Sequence, residues 1–473
     1  MADVSTRKRI LGWMSFDIAT QPFYTLGLTF IFGPYFAIAI ASYYLDGGMT
    51  ETAADAQAQS IWSLGQMIAG LFIAFTAPIL GAYADSTGRR LPWMILFSII
   101  YVVGSLLLWF MVPDGSAWLF CLIAFLFAFV ASEYALIFTN AILPSLGTQE
   151  EIGKISGDGA AYGYWGGVVS LFIMLLVFYE IEGGLTLLGN PPPFGLDGEQ
   201  AEGTRFVGIF IAAWFVLFMI PYFLFVREGE PNRGGGISQA MTELKTSLRN
   251  AVKRKSLFNF LLSSMFYRDA LNALYTFGGV YAGLVLNWSL EQIAVFGIIA
   301  AITAAIGTSI AGRFDRAKGP RPVIVFCIWT LTLVSLSIVG MSREAFYGIP
   351  LPDTPLLTLP VLGALFVADV NLYVCGSLIG AAGGGIYSAS RSMMVRHTHP
   401  ERPTEAFGLF ALSGKATAFL APAMIALFTY LLQDARLGFT PVIILFLLGL
   451  WLLRYVHPEG DRAEWSKTSI PVP

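Results

Sequence analysis

Charge is scarce in this chain of 473 residues: Asp, Glu, Lys and Arg together make up 12% of it, about half the share found in soluble proteins. So few charges cannot cover a water-soluble surface of this size. Cysteine is scarcer still, at three (Cys121, Cys327, Cys375), all inside long apolar runs. An odd number without C-x-x-C spacing argues against a disulfide framework or a thiolate metal site. His397, His399 and His457 are the only histidines, and they form no set suited to zinc. No G-x-S-x-G elbow, Walker loop or strand-borne G-x-G-x-x-G is present. No cofactor is called for, and an enzyme is not expected.

Apolar residues are abundant instead. The hydrophobic fraction is 56% and the aromatic fraction 14%, which excludes a disordered chain and points to an all-α integral membrane protein. A spanning helix takes about 20 mainly apolar residues. Such runs fall at 12–43, 59–84, 93–112, 117–143, 154–179 and 204–226, then at 256–287, 289–312, 323–341, about 368–395, 404–432 and 437–455. The tenth is the weakest, because Val361–Ala368 is also apolar and reads as an interfacial piece. The N-terminal segment has no early small-residue cleavage site, so it reads as a first span and not as a removed signal peptide. Twelve helices are expected, six in a bundle over 1–226 and six over 256–473 with a short tail. A polar cytoplasmic linker, 227–255, joins them.

Basic residues set the orientation. With the N-terminus inside, the cytoplasmic segments hold Arg7, Lys8, Arg9, Arg89, Arg90 and Lys154, the basic linker, and later Arg313, Arg316, Lys318, Arg321, Arg396 and Arg402. Arg454, Arg462 and Lys467 follow the last span. The opposite loops hold only Arg205, Arg343 and Arg436 among many acids, such as Asp46, Glu51, Asp114, Glu180 and Glu182. Both termini are therefore expected in the cytoplasm, with the protein multi-pass in the cell (inner) membrane.

The halves repeat. The loop after the second span runs from Asp85 through Gly88, Arg89 and Arg90 to Pro92, and that after the eighth from Asp315 through Lys318, Gly319 and Arg321 to Pro322. Asp17 precedes Tyr24-Thr25 in the first span, as Asp269 precedes Tyr275-Thr276 in the seventh. A parallel repeat of six plus six helices is a transporter architecture with the substrate path between the halves. Tight Gly/Pro loops bring Arg side chains beneath neighbouring helix ends, where they meet Asp85, Asp315 or C-terminal carbonyls. Asp85, Arg89, Arg90, Asp315, Arg321 and Arg391 are the expected cytoplasmic gate. For Arg391 snorkelling to the interface is the default, and a gate pair with the loop after the eighth span is the alternative.

The run G-A-Y-A-D-S-T-G-R-R (81–90) resembles the cytoplasmic signature of the major facilitator superfamily. F-D-I-A-T-Q-P-F-Y-T (16–25), T-N-A-I-L-P (139–144), S-G-D-G-A-A-Y-G-Y-W-G-G (156–167), M-F-Y-R-D-A-L-N (265–272), S-R-S (390–392) and F-G-L-F-A-L-S-G-K (407–415) resemble bacterial relatives of the fungal vacuolar amino-acid effluxers. The resemblance spans nearly the whole chain and implies alternating access, with amino-acid export at the family level. The loop after the second span is also similar to that of sugar–cation symporters.

Charges at membrane depth are functional candidates by default. Asp17, Glu133, Arg268, Asp269 and Lys415 are those charges here, with Gln21, Tyr24 and Asn272 continuing the faces of Asp17 and Asp269. Structural ion pairs between helices are the plain alternative. Desolvation and nearby cations act in opposite directions on a carboxyl group, so these acids suit proton coupling, and the Arg268 fork suits a carboxylate or phosphate. Pro22 and Pro34 are positioned to break the first helix. The favoured function is a proton-coupled secondary carrier of a small carboxylate- or phosphate-bearing amphiphile such as an amino acid. A cation-coupled sugar symporter and a lipid or lysolipid transporter are the alternatives. The expected partners are a small-molecule substrate, the lipid bilayer and a proton, with Na+ left open, no nucleic acid, and a monomeric carrier. The charge bias predicts that tags at either terminus or within 227–255 react only from the cytoplasm and tags within 180–203 only from outside. A membrane-impermeant label reaching residue 190 only from the cytoplasm reverses the orientation.

Overall fold

The computed structural model describes residues 5–180, 184–226, 242, 245–246, 249, 252–286, 288, 290–359, 362–415, 417, 420–432, 434 and 436–461. Most of the 227–255 linker, with Arg227 and Arg233, lies outside the described residues, as do Glu182, Val361, Arg462 and Lys467. Among the described residues ten helices are long and apolar enough to cross a membrane, and Lys255–Leu286 and the shorter Leu437–Leu453 fill the two remaining positions of the expected twelve. The first six are α1 (Thr6–Asp46), α2 (Glu51–Thr87), α3 (Leu91–Phe110), α4 (Trp118–Ser145), α5 (Gln149–Phe178) and α6 (Glu202–Phe225). The others are α7 (Lys255–Leu286), α8 (Leu290–Lys318), α9 (Pro320–Gly340), α10 (Val367–His397), α11 in two pieces (Pro403–Lys415 and Leu420–Leu432) and α12 (Leu437–Leu453).

Two helices outrun their apolar stretches. α2 begins at Glu51, not near 59, and α8 continues to Lys318, not to 312. An acid in the first turn and Arg316 with Lys318 in the last suit the helix dipole, so the helix persists past the apolar run. Between α9 and α10 lie two short antiparallel hairpins, β1–β2 (Ala345–Phe346 with Ile349–Pro350) and β3–β4 (Leu357–Leu359 with Gly363–Leu365). The second occupies much of the apolar piece before the tenth span.

α1 changes character midway. After Pro22 the chain takes a π-helical course over Phe23–Phe30, and the Ile31 N–H reaches back to Leu26 O at 3.0 Å. A regular helix restarts at Phe32, with Pro34 in its first turn, where a missing donor costs nothing. Both prolines flank the irregular stretch. Phe125 of α4 stacks on Phe23 and Phe32, with centroids 5.0 and 5.8 Å away, so the rearranged backbone is braced by aromatic packing.

The chain forms two compact units, residues 1–142 with 162–236, and residues 143–161 with 237–473. α5 is divided between them. In the second unit its Gly157 lies on Gly312 of α8 so closely that a Cβ there would sit 2.6 Å from the Gly312 Cα. Gly153, one turn earlier, faces the Asp315 side chain. This small-xxx-small spacing lets two backbones touch. In the first unit, Gly163, Gly166 and Gly167 pack on α1 at Asp17, Ile18 and Thr25. The Gly383–Gly385 run also serves packing, with Gly383 against the Tyr275 hydroxyl and Gly385 against Ala311 and Cys327.

The outer helix faces are apolar. Phe75, Phe326 and Phe127 are 61–71% exposed, a surface that suits lipid and not water. Replacing Gly157 by Leu should destabilise the protein by about 1–3 kcal/mol through overpacking. Leu at Gly70, where a Cβ meets nothing within 4 Å, should be neutral. Thermal unfolding of the two variants in detergent checks this; equal midpoints would dissolve the α5–α8 contact.

Candidate functional site

The membrane-depth polar residues form separate groups in the two units. In the first, Tyr24 of α1 meets α4, its hydroxyl 3.1 Å from Ser132 Oγ and 3.4 Å from Glu133 Oε1. Gln21 donates to Thr25 Oγ1 at 3.5 Å, the long end of a hydrogen bond. Asp17 is buried, its backbone and Cβ pressed against Gly163 of α5. Trp214 of α6 donates its indole N–H to Ile18 O at 2.9 Å, and Trp13 to Thr139 O at 2.8 Å. Those indole bonds are invisible in a helical pattern, because each pairs with a backbone carbonyl of unspecified sequence. Asn140 is buried and Trp165 is 44% exposed.

In the second unit, Arg268 and Asp269 of α7 engage the two pieces of α11. Arg268 donates to Phe410 O at 3.1 Å, stacks on the Phe410 ring at 4.5 Å and lies on Gly414, where a Cβ would collide with its guanidinium. Asp269 is 2% exposed, and its Oδ2 accepts the N–H of Ala421 at 2.9 Å, at the start of Leu420–Leu432. Its Oδ1 is buried without a hydrogen-bond partner among the described residues. Adjacent helix positions face about 100° apart; the division of α11 lets both be used at once. Lys415 ends the first piece. Asn272, one turn after Arg268 and Asp269, is exposed, and its carbonyl accepts the Thr276 hydroxyl at 3.0 Å.

The two repeat loops differ. Arg90 pairs with Asp85 at 3.0 Å, the carboxylate side chain being 4% exposed, while Arg89 is exposed. Arg321 does not pair with Asp315. It donates to Leu453 O and Arg454 O at the end of α12, at 3.1 and 3.4 Å, a place where a cation suits the C-terminal carbonyls. Asp315 is instead buried beside Gly153 of α5. Arg391 does not snorkel. It is 1% exposed and grips Ser156 of α5, Nε to Oγ at 2.9 Å and Nη2 to the carbonyl at 2.6 Å. Ser156 donates in turn to Ser388 O at 2.8 Å.

Sequence reading did not single out Ser156 as a partner of Arg391, nor Glu459 and Asp461 after α12. Asp461 pairs with Arg254, while Glu459 pairs with Arg396 at 2.9 Å and accepts from Gln149 at 2.8 Å. The three basic residues of the sparsely basic loops are also engaged. Arg205 donates to Trp109 O, Arg343 pairs with buried Asp369, and Arg436 pairs with Asp434 at 2.8 Å, holding that carboxyl below its ordinary range. Among the described residues no group of acids, histidines and cysteines could hold a metal ion.

The vacuole effluxer Atg22-like family model matches residues 148–465. The chain is 23% identical over 470 residues to the uncharacterised MFS-type transporter YxiO of Bacillus subtilis, covering 98% of this chain and 97% of that protein. Autophagy-related protein 22 of Cryptococcus neoformans is 25% identical over 329 residues, 67% of this chain and 53% of the fungal protein. Among solved structures, the proton:xylose symporter XylE superposes with a TM-score of 0.66 at 12% identity, over 97% of this chain and 98% of that one. The human organic anion transporter MFSD10 superposes with a TM-score of 0.60 at 17% identity, over 95% of this chain and 98% of that one. The fold is therefore that of the major facilitator superfamily, and such transporters are not enzymes.

The Arg391 grip makes a graded prediction. Ser156→Ala removes the hydroxyl acceptor and should cost about 1 kcal/mol, whereas Arg391→Met removes both contacts to Ser156 and should cost about 2–3 kcal/mol. Thermal unfolding orders the variants; an Arg391→Met protein as stable as wild type removes this contact from the structural account.

Proposed function

Because the chain belongs to the Atg22-like vacuole effluxer family, whose fold is that of the major facilitator transporters, we propose that it is a proton-coupled carrier of a small organic solute bearing a carboxylate or phosphate, an amino acid first among them. The observation that carries this reading is the pair Arg268 and Asp269 of α7, which engage Phe410 and Ala421 of α11 on either side of Lys415. Arg268 offers a planar donor fork that matches a carboxylate or phosphate in a way Lys does not. Asp269 has one carboxylate oxygen engaged and one without a partner among the described residues, and the second has a lone pair for a proton. A substrate anion drawn to the cations weakens their hold on the nearby acid, which then takes up the proton. Binding and coupling are linked through local charge alone.

In the first unit Asp17, Gln21, Tyr24 and Glu133 supply the corresponding polar face, with Asp17 the repeat partner of Asp269. The Asp85–Arg90 pair, with Arg89 beside it, and the Asp315, Arg321 and Arg391 contacts are the proposed cytoplasmic gate, made in one state and broken in the other. Six spans over 1–226 and six over 256–473 are joined by the 227–255 linker, both termini are cytoplasmic, and the carrier acts as a monomer in the cell membrane. The structural neighbour XylE is described as a proton:xylose symporter, so sugar is the substrate class to test against.

Asp17→Asn and Asp269→Asn should each abolish proton-driven accumulation in proteoliposomes while sparing counterflow, since exchange moves no net proton. Normal accumulation in both makes these acids structural and moves the proposal to Glu133. Arg268→Lys should weaken an anionic ligand about tenfold or more, and wild-type affinity should rise at mildly acidic pH. A neutral sugar bound equally well by wild type and Arg268→Lys replaces the anion reading with the symporter one.

A further inference from the structure

We infer that Asp269 is a protonation-sensitive cap on the second piece of α11, so that the proton it takes up loosens that half-helix. This inference rests on the reading of Asp269 as the proton acceptor. It adds what the proton does mechanically.

The start of Leu420–Leu432 has few donors to satisfy. The Leu420 N–H bonds to Thr417 O at 2.7 Å, the Ala421 N–H to Asp269 Oδ2 at 2.9 Å, and Pro422 carries none. Among the described residues there, Leu420 to Pro422, the bond that crosses to another helix is the bond to Asp269. A carboxylate at a helix N-terminus acts in two ways: it accepts an N–H, and its charge meets the positive end of the helix dipole. Here the same carboxylate leaves Oδ1 buried and unpartnered among the described residues. A proton arriving at Oδ1 converts the carboxylate to the neutral acid. Oδ2 still accepts the Ala421 N–H, but as a neutral acceptor, and the charge–dipole attraction is gone. The cap weakens without any residue having to leave.

Few other titratable groups are near. α12 carries none between Thr440 and Leu453. On α10, Arg391 is bound to Ser156, and Tyr267 of α7 is hydrogen-bonded to Ser390 at 2.7 Å. Arg268, next along α7, lies over Phe410, Tyr275 packs on Gly383, and Lys415 ends the preceding piece of α11. The Ala421 N–H is the group bonded to the Asp269 carboxylate, so the cap is made before the proton arrives.

Asparagine separates cap from charge. It caps helices about as well as aspartate but does not ionise. Hydrogen exchange of the whole protein in lipid nanodiscs, corrected for intrinsic rates, gives protection at Leu420, Ala421, Ala423 and Met424 as a function of pH. In wild type, protection there should fall about fivefold on acidification, while amides of α12 stay constant. In Asp269→Asn it should be independent of pH. A flat wild-type profile, or an unchanged pH response in Asp269→Asn, overturns the cap switch. Proton-driven accumulation is measured on the same variant. A flat wild-type profile with accumulation lost in Asp269→Asn overturns the switch and leaves the coupling reading standing. A pH response that disappears in Asp269→Asn with accumulation intact does the reverse.

Discussion

Inside a bilayer a freed backbone N–H has no water to turn to, and each one left unsatisfied costs several kcal/mol. Departures from regular helix in the spans therefore need a partner supplied by the protein. The two interrupted spans answer in different ways. α1 stays hydrogen-bonded through a π-helical stretch, widening its own ladder so that Ile31 reaches Leu26. α11 takes an acceptor from outside itself, the carboxylate of Asp269. The first solution is self-contained and braced by Phe125. The second ties one helix to a side chain of another.

Buried cations follow a similar economy. Arg391 lies deep among α5 and α10 and uses two donors on a single serine, its hydroxyl and its carbonyl. Arg268 pairs with a carbonyl and an aromatic face. Arg343 takes a carboxylate, Asp369, which also accepts the indole N–H of Trp288 at 2.6 Å and the Phe366 N–H at 2.8 Å. A guanidinium has five donors to place, and these three residues fill them with quite different acceptors. Substitutions at these sites will accordingly not behave alike.

The fold was largely legible from sequence. Apolar runs of the right length located the spans, since hydropathy is a local property, and the repeated Asp-to-Pro loops revealed the duplication. Helix ends were less legible at α2 and α8, where polar residues prolong a helix that hydropathy alone would stop. The candidate site was legible only in its charged members: Arg268, Asp269 and Lys415 stand out because charge is rare at that depth. Their partners do not, because Phe410 O and the Ala421 N–H are backbone atoms that every residue has. Arg321 and Arg391 show the same limit. For Arg321 the sequence left Asp315 and C-terminal carbonyls both open, and for Arg391 the interface or the loop after the eighth span; the observed acceptors are Leu453 O and Arg454 O for the one and Ser156 for the other. The Gly153–Gly157 spacing was available as a signal, but its target, Gly312, is known only from three-dimensional packing.

The division of α5 has a consequence for biosynthesis. Its first half, through residue 161, packs with the second unit, on Gly312 of α8 and Arg391 of α10. At about 5–20 residues per second of synthesis, Arg391 emerges roughly ten to fifty seconds after that half of α5. During that interval the glycine face of α5 and the hydroxyl of Ser156 are in the membrane without their final neighbours. The first six spans therefore complete their packing at that face only once α10 is present. Assembly is delayed until α10 is inserted, and the nascent protein needs lipid or the insertion machinery to occupy that face until then.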